Sequence, residues 1–280
     1  MSSRPSRPPR TTSRGPVRRG AGAPPPRNVS RPRDRDGVGG EQVEGRHAVL
    51  ELLRAGRRPV TKVFVADNQD PSPILDEIER EAQRRRVSLQ WVSMARLDRE
   101  ARTEQHQGVL AFAKRLDTVS LEVLLEHPHP FFLVCDGVTD PRNLGAMLRS
   151  ADGAGVTGVI VPRHRSAHVS PTVAKTAAGA IEYLNFCDVG GVPTAIDQLN
   201  RAGVLTVGLA GESSTSLYEL DLGSTPVALI VGSEEKGLAA LTRKRCQAVV
   251  SIPQMGKIES LNAGVALSVA AFEVARQRRL

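Results

Sequence analysis

The hydrophobic residues in the second half of the chain form short, nearly continuous runs that alternate with helical patterns. The runs that predict strands are 131–138, 158–162, 203–210, 226–233 and 248–253. Apolar residues at helical spacing lie between them, at 141–153, 171–182, 193–202, 237–246 and 260–279. Because strands buried on both faces read as continuous apolar runs, this alternation predicts an α/β fold with a mostly parallel sheet covered by helices on both sides.

A smaller α/β pattern precedes this one. Residues 45–56 have apolar side chains at helical spacing and end in Gly56, which suits a helix C-cap. A second helix is predicted at 72–86, and strands are predicted at 60–66, 87–93 and 107–114. We therefore predict a small α/β domain at 44–115, a linker with a short helix at 116–130, and a larger domain at 131–280.

The N-terminal segment differs in composition from the rest of the chain. Residues 1–40 contain ten arginines, two aspartates and eight of the nineteen prolines, so they carry the whole formal charge of +8. Such a segment cannot bury enough apolar surface to fold alone, which predicts a disordered basic tail at 1–43. We expect the tail to contact RNA phosphates. A solubilising extension without a partner is the alternative.

Composition excludes several classes of protein. No apolar run approaches the roughly 20 residues that span a bilayer, and the Arg-rich N-terminus lacks the apolar core of a secretory signal. We expect a soluble cytoplasmic protein with no membrane partner. The cysteines, Cys135, Cys187 and Cys246, are far apart, so we expect reduced thiols and no metal site. Residues 153–158 match GxGxxG, but they follow a helix and precede a strand, which is the wrong order for a dinucleotide loop.

Three polar segments follow predicted strands, at 136–155, 231–238 and 252–267. Each has a structural explanation: Asn143 could cap the first helix, Glu234 could pair with a nearby base, and Ser260 suits the N-cap of the last helix. Their shared position favours a functional site, since ligands of parallel sheets bind beyond the carboxyl ends of the strands.

These three segments resemble the signature motifs of the SPOUT-class TrmH family of tRNA and rRNA methyltransferases. The resemblance extends over about 44–280 and includes GRHAV at 45–49 and HQGVLA at 106–111. It implies methylation of an RNA ribose 2′-hydroxyl by S-adenosylmethionine, a deep trefoil knot, a homodimer and a small RNA-binding N-terminal domain. We expect a guanosine of 23S rRNA as the target. A tRNA methyltransferase and a non-catalytic RNA-binding or ribosome-assembly factor stay open.

The resemblance also implies the site residues. The catalytic set is Asn143, Arg149, Glu234, Ser260 and Asn262, and the donor-binding set is Leu209, Ala210, Gly211, Gly232, Ile252 and Leu261. We expect Arg149 to orient the ribose or its phosphate and to stabilise charge on the reacting oxygen, because a guanidinium stays protonated. The two asparagines would position the ribose and the loops, and Glu234 would brace an arginine or the loops. Ser260 would cap the helix whose first turn holds Asn262.

Two positions depart from the family motifs. Glu235 stands where the second motif has glycine, and Gln254 stands where the third motif has methionine. We expect Glu235 to restrict the loop backbone and to add negative charge, which would affect substrate preference but not the fold. His47 and His106 are either RNA contacts or ordinary packed or exposed histidines.

Overall fold

A four-stranded sheet forms the first part of the computed structural model, which describes residues 42–163, 169–257 and 260–279. Its strands are β1 (Gln42–Glu44), β2 (Val60–Ala66), β3 (Ser88–Val92) and β4 (Val109–Ala113), in the order β1-β4-β2-β3. Its helices are α1 (Arg46–Ala55), α2 (Pro73–Arg84) and α3 (Met94–Glu100), and α4 (Leu121–Leu125) follows it. We call it the first sheet. Only β2 and β3 pair in parallel; β4 is antiparallel to β1 and β2.

Six parallel strands form the second sheet, in the order β10-β8-β9-β5-β6-β7. They are β5 (Phe131–Asp136), β6 (Gly158–Pro162), β7 (Phe186–Val189), β8 (Leu205–Leu209), β9 (Val227–Gly232) and β10 (Ala248–Val250). The helices are α5 (Pro141–Gly153), α6 (Pro171–Thr176), α7 (Val192–Arg201), α8 (Ala240–Arg245) and α9 (Ala263–Arg278). The predicted parallel sheet is confirmed.

Both faces of the second sheet are buried, as the continuous apolar runs predict. Phe131 and Leu133 of β5 pack into one cluster with residues of α5, α6 and α9. Phe132 and Val134 point to the other face and pack with residues of α4 and α7. Because α4 contributes Leu121 and Leu124 to that cluster, the segment assigned to a linker packs on the second sheet. No helix among the described residues is long and apolar enough to cross a membrane.

Several predicted elements need correction. The sequence pattern missed β1, α3 and β7, which are short. The prediction of one helix over 171–182 is wrong, because α6 ends at Thr176 and a separate 3-10 turn follows at Ala180–Glu182. Gly179 lies between them with φ +91°, and a Cβ there would be 2.4 Å from the Cβ of Glu51 in α1. The helix is therefore interrupted where α1 comes close.

Strand β1 begins at Gln42, inside the segment predicted as tail. Val43 is 1% exposed, and the Gln42 side chain donates to Glu100 O at 2.8 Å and to Glu44 Oε1 at 3.0 Å. This strand completes the first sheet next to β4. Residues 1–41, which hold the rest of the predicted tail, lie outside the described residues.

A buried ion pair connects the two sheets. Arg58 donates from Nη2 to Glu182 Oε1 at 2.5 Å and from Nε to Oε2 at 3.0 Å, and each side chain is 1% exposed. Burial raises the pKa of Glu182, while the positive charge of Arg58 opposes this shift. Arg57 adds hydrogen bonds to Leu184 O at 2.9 Å and Asn185 Oδ1 at 2.8 Å. The segment after α6 is thus held against the first sheet.

Helix α5 is positioned by close packing on both sides. A Cβ on Gly145 would be 2.5 Å from the Cβ of Thr176, so only glycine lets α5 lie this close to α6. On the other side, the hydroxyl oxygens of Ser150 and Ser268 lie 2.7 Å apart. Since Ser268 donates its own proton to Gly264 O, Ser150 is the donor in the link between α5 and α9. This packing fixes the polar residues that α5 carries.

Candidate active site

Polar loops follow the carboxyl ends of four neighbouring strands, β10, β8, β9 and β5. The ends of β5 and β9 are tied together, because Asp136 accepts a hydrogen bond from the Ala239 amide at 2.9 Å. Helix α5 starts directly after this edge, at an N-cap where Asp140 accepts from the Arg142 amide at 2.9 Å, with Pro141 in the first turn. Asp140, not Asn143, caps this helix, so the side chain of Asn143 is available for other contacts.

A chain of side-chain hydrogen bonds joins the three motif segments. Asn143 donates from Nδ2 to Glu234 Oε1 at 2.9 Å, and Asn262 donates from Nδ2 to Asn143 Oδ1 at 3.0 Å. Oδ1 of Asn262 accepts from the amides of Gly264 at 2.9 Å and Val265 at 3.3 Å. We call Asn143, Glu234 and Asn262 the motif triad. Residues 119 positions apart thereby meet at one edge of the sheet.

The chemistry of the motif triad fixes both amide orientations. A carboxylate can only accept, so the NH2 group of Asn143 must face Glu234 and its oxygen must face Asn262. The backbone amides of α9 likewise require the oxygen of Asn262, which leaves its NH2 group for Asn143. Each amide has one consistent orientation, and Glu234 braces an asparagine of the first motif instead of an arginine.

The prediction that Ser260 caps the last helix is wrong. The cap is Asn262, whose side chain accepts from two amides of the first turn, and α9 starts at Ala263. Ser260 is exposed and lies two residues before the cap. Both residue types are good N-caps, so the pattern alone could not choose between them. Asn262 therefore has two functions, since it ends the loop and joins the motif triad.

Arg149 lies on α5, six residues after Asn143, which is about 9 Å along a helix axis. Its side chain is exposed and makes no hydrogen bond or ion pair with any residue that the structure describes. Its neighbour Ser150 is held by Ser268, so the backbone that carries Arg149 is fixed while its guanidinium stays available. A protonated guanidinium in this state suits an anionic or partly anionic group that arrives from solution. The pattern missed Ser150 and Ser268, since a serine on a helix gives no sequence signal of its own.

The loop after β9 closes on itself. The Ser233 amide donates to Gly237 O at 3.0 Å, and the Gly237 amide donates to Ser233 O at 2.9 Å. Gly232 has no room for a side chain, because a Cβ would be 2.1 Å from the carbonyl carbon of Gly237. Glu235 is exposed in this loop and is not among the described residues with positive φ. Glu235 is therefore accommodated without a left-handed backbone conformation, and it adds a negative charge to the loop.

The predicted donor-binding residues come from three loops on this same edge. Leu209 and Ile252 are half-buried and pack against the core of the second sheet, while Gly211 and Leu261 are exposed. The first and third loops are joined, because the Ala210 amide donates to Val250 O at 2.9 Å. None of the six residues is charged, so the set fits an uncharged nucleoside such as the adenosine of S-adenosylmethionine. Gln254 is exposed in the loop after β10.

Other candidate residues lie away from this edge or are unreactive. Burial raises the pKa of the Cys135 thiol to about 12, so it is no nucleophile at neutral pH. His47 is exposed on α1, and His106 is buried near the first sheet. The described residues contain no group of three or more His, Cys, Asp or Glu side chains arranged to hold a metal ion.

Comparison with known proteins adds independent findings. Residues 130–272 match the SpoU rRNA Methylase family, and residues 42–119 match a domain described as RNA 2'-O ribose methyltransferase substrate binding. The chain is 39% identical to the 23S rRNA (guanosine-2'-O-)-methyltransferase RlmB of Pectobacterium atrosepticum, over 85% of this chain and 98% of the relative.

Solved structures show the same fold. A crystal structure of an RNA 2'-O ribose methyltransferase is 28% identical with a TM-score of 0.72, covering 85% of this chain and 89% of the other. The SpoU methyltransferase AviRb of Streptomyces viridochromogenes, solved with AdoMet, is 24% identical with a TM-score of 0.71, covering 85% and 90%. At that identity, AviRb is evidence for the fold only.

Proposed function

Because the chain belongs to the SpoU rRNA methylase family, we propose that it methylates a ribose 2′-hydroxyl of RNA, at a guanosine of 23S rRNA, with S-adenosylmethionine as donor. The target rests on the RlmB relatives, which match almost their full length at about 39% identity. The observation that carries the proposal is the motif triad, which joins three loops at the edge where α5 begins, and α5 also carries Arg149, which has no partner among the described residues.

The reaction requires alignment and charge stabilisation. The 2′-oxygen attacks the methyl carbon, the bond from that carbon to sulfur breaks, and the hydroxyl proton passes to solvent. S-adenosylmethionine supplies a methyl group on a cationic sulfur, which leaves as a neutral thioether. The protein must hold the oxygen in line with that methyl group and stabilise the charge that develops on the oxygen.

Arg149 is the residue that we assign to the reacting ribose. Its guanidinium is exposed, charged and unpaired among the described residues, so it can donate to the 2′-oxygen or the adjacent phosphate as charge develops. It is not assigned as the base, because a guanidinium keeps its proton at neutral pH. Asn143 and Asn262 position the three motif loops through their fixed amide orientations.

A second copy of the chain completes the proposed assembly. Val265 and Phe272 on α9 are 49% and 51% exposed, and half-buried Val269 lies between them on the same helix face. Phe272 also lies close to α5, 3.4 Å from where a Cβ on Gly153 would stand. An apolar stripe beside Arg149 suits a homodimer. Light scattering should give twice the monomer mass at micromolar concentration, and Phe272→Glu should shift it to the monomer; a wild-type monomer would contradict the assembly.

The remaining parts of the proposal concern organisation. We assign the region around the first sheet to RNA binding, the region around the second sheet to methyl transfer and a trefoil knot, and the basic tail to RNA phosphates. The enzyme would act in the cytoplasm, where its rRNA substrate is found.

Mapping of ribose methylation tests the function directly. Total rRNA and tRNA from cells with and without the gene should differ at one guanosine of 23S rRNA. A difference in tRNA alone would make the chain a tRNA enzyme. No difference, together with no binding of S-adenosylmethionine in calorimetry, would favour a non-catalytic RNA-binding factor.

Replacement of Arg149 tests the proposed catalytic role. Arg149→Ala should lower kcat by about 10²-fold or more, as expected for loss of a group that stabilises the transition state, and should leave donor affinity unchanged. Arg149→Lys should restore little activity, because a point charge does not replace a planar guanidinium. Arg201→Ala, an exposed arginine on α7, is the matched control. Near-normal turnover of Arg149→Ala on the mapped substrate would refute the role.

A further inference from the structure

An open polar cavity of about 600 Å³ lies beside the first sheet, and none of the predicted catalytic or donor-binding residues lines it. Its walls come from the loop 68–72, from Met94 and Asp98 of α3, from the loop 104–108, and from Arg46 at the start of α1. Cavities of 300 to 1,000 Å³ with a few fixed polar groups are typical ligand sites. The hydrogen bonds that orient the side chains of this cavity indicate which kind of ligand it binds.

Arg46 is held in place without a carboxylate partner. It donates from Nε to Gln107 O at 3.1 Å, from Nη2 to Gln69 Oε1 at 2.5 Å and from Nη1 to Ser72 Oγ at 3.3 Å. These acceptors are uncharged, and Arg46 forms no ion pair with any described residue. A guanidinium has five N–H groups, so two are available for a ligand. The arginine is thus oriented by its surroundings and still has its charge and two donors to offer.

Asp98 is oriented by a buried histidine. The Gly108 amide donates to Nδ1 of His106 at 3.0 Å, so the ring proton is on Nε2, which donates to Asp98 Oδ1 at 2.9 Å. The His106 side chain is 8% exposed, whereas that of Asp98 is 62% exposed. One carboxylate oxygen is therefore fixed on the histidine, and the other can accept a hydrogen bond from a ligand.

The loop that carries His106 has an uncommon backbone conformation. Gln107 has φ +53°, which is rare for a residue other than glycine, and Gly108 has φ +74°. A Cβ on Gly108 would be 2.2 Å from Gln69, so the backbone and the Gln69 side chain are in direct contact. Gln69 in turn holds Arg46, which means that the loop geometry and the arginine orientation depend on each other.

The charges in the cavity argue against a phosphate ligand. Three carboxylates line it, Asp70, Asp98 and Glu104, against the single arginine. A base edge is uncharged and offers donors as well as acceptors. Guanine fits both groups, since its O6 and N7 accept from an arginine in the commonest specific base contact, and its N1–H and amino group on the neighbouring Watson–Crick edge can donate to a carboxylate. Uracil is less suitable, because it has no amino group that could donate to the carboxylate.

We propose that this cavity binds an unpaired guanine of the RNA substrate, at a second nucleotide away from the methylated ribose. The proposal rests on the proposed function, because RNA as the ligand follows from it. Arg46 contacts the O6 and N7 edge, and Asp98 accepts from the N1–H and amino group of the Watson–Crick edge. This contact gives the enzyme a means to recognise its target by a base other than that of the methylated nucleotide.

The test measures binding of the 23S rRNA fragment that methylation mapping identifies, with the full-length protein. Arg46→Gln and Asp98→Asn should each weaken RNA binding by about 5-fold to 150-fold, the range for loss of a base contact. Asp98→Asn keeps an oxygen for His106, so folding is preserved, and thermal unfolding checks both variants. The matched controls are Arg54→Gln at the end of α1 and Asp76→Asn on α2, which should bind as wild type. Binding by both cavity variants equal to wild type would overturn the proposal.

Two further measurements identify the chemical group. Arg46→Gln should leave the salt dependence of RNA binding unchanged; a decrease in slope of about 0.7 to 0.9 would make Arg46 a phosphate contact and overturn the base assignment. Inosine lacks the guanine amino group, so inosine at one unpaired position should weaken binding to wild type but not to Asp98→Asn. No such position would refute the guanine site. Normal methylation of the fragment in that case would leave the proposed function intact.

Discussion

The buried pair of Arg58 and Glu182 and the solvent-accessible motif triad both consist of polar side chains joined by hydrogen bonds, but they have different roles. Both join segments more than 90 residues apart through hydrogen bonds of 2.5 to 3.0 Å. The side chains of the pair are 1% exposed, whereas Glu234 and Asn262 are exposed. A charge removed from water must keep its partner, because the partner replaces its hydration. Both charges of the pair are therefore used in the contact that joins the two sheets.

The motif triad has capacity left for a substrate. Water can reach its members, so each hydrogen bond contributes little to stability, and the second carboxylate oxygen of Glu234 accepts no hydrogen bond from any residue that the structure describes. The contribution of the motif triad is to orient the side-chain amides of its two asparagines, because each amide has only one orientation that satisfies its hydrogen bonds. Buried polar contacts thus stabilise the fold, whereas solvent-accessible ones orient side chains that can meet a substrate.

Replacement of Arg58 should have the largest effect and should act on stability. Arg58→Met leaves Glu182 buried without its partner, so the free energy of unfolding should fall by about 3 to 5 kcal/mol. The double variant Arg58→Met/Glu182→Leu should regain most of this loss, since no buried charge is left uncompensated. Denaturant unfolding measures both. Arg54→Met, which removes exposed ion pairs, should cost at most about 1 kcal/mol. Equal losses for Arg58→Met and Arg54→Met would contradict the comparison.

Replacement of Asn143 should act on catalysis. Asn143→Asp puts a carboxylate against Glu234 in place of the amide donor, so kcat should fall by about 10²-fold through misplacement of the loops. The free energy of unfolding should change by less than about 1 kcal/mol, because water can reach the site. The double variant Asn143→Asp/Glu234→Gln restores a hydrogen bond with donor and acceptor exchanged, and it should recover part of the activity. A large loss of stability without loss of activity would reverse the assignment.

The sequence predicted those features that depend on local patterns. Apolar runs identified five of the strands in the second sheet, and helical spacing placed the start of α5 at Pro141. The strands β1 and β7 were missed, because β1 lies mostly within the segment predicted as tail and the four residues of β7 give little periodicity. The contact of Arg58 with Glu182 could not be predicted, since nothing local distinguishes one arginine among many. The members of the motif triad were among the five catalytic residues that the family resemblance implied, but their hydrogen bonds depend on how the strand ends come together.

Replacement of Asn262 gives the smallest effect and separates its two functions. Asn262→Ala removes both the cap of α9 and the contact with Asn143. The free energy of unfolding should therefore fall by about 1 kcal/mol, and turnover should also fall. Asn262→Asp keeps a capping oxygen but loses the NH2 donor, so stability should be preserved while turnover falls. Ser260→Ala should leave the free energy of unfolding unchanged, because Ser260 does not cap the helix. Chemical denaturation and turnover on the mapped RNA fragment distinguish these cases. If Asn262→Asp retains full turnover, the hydrogen bond to Asn143 does not contribute to catalysis, and Asn262 is a helix cap alone.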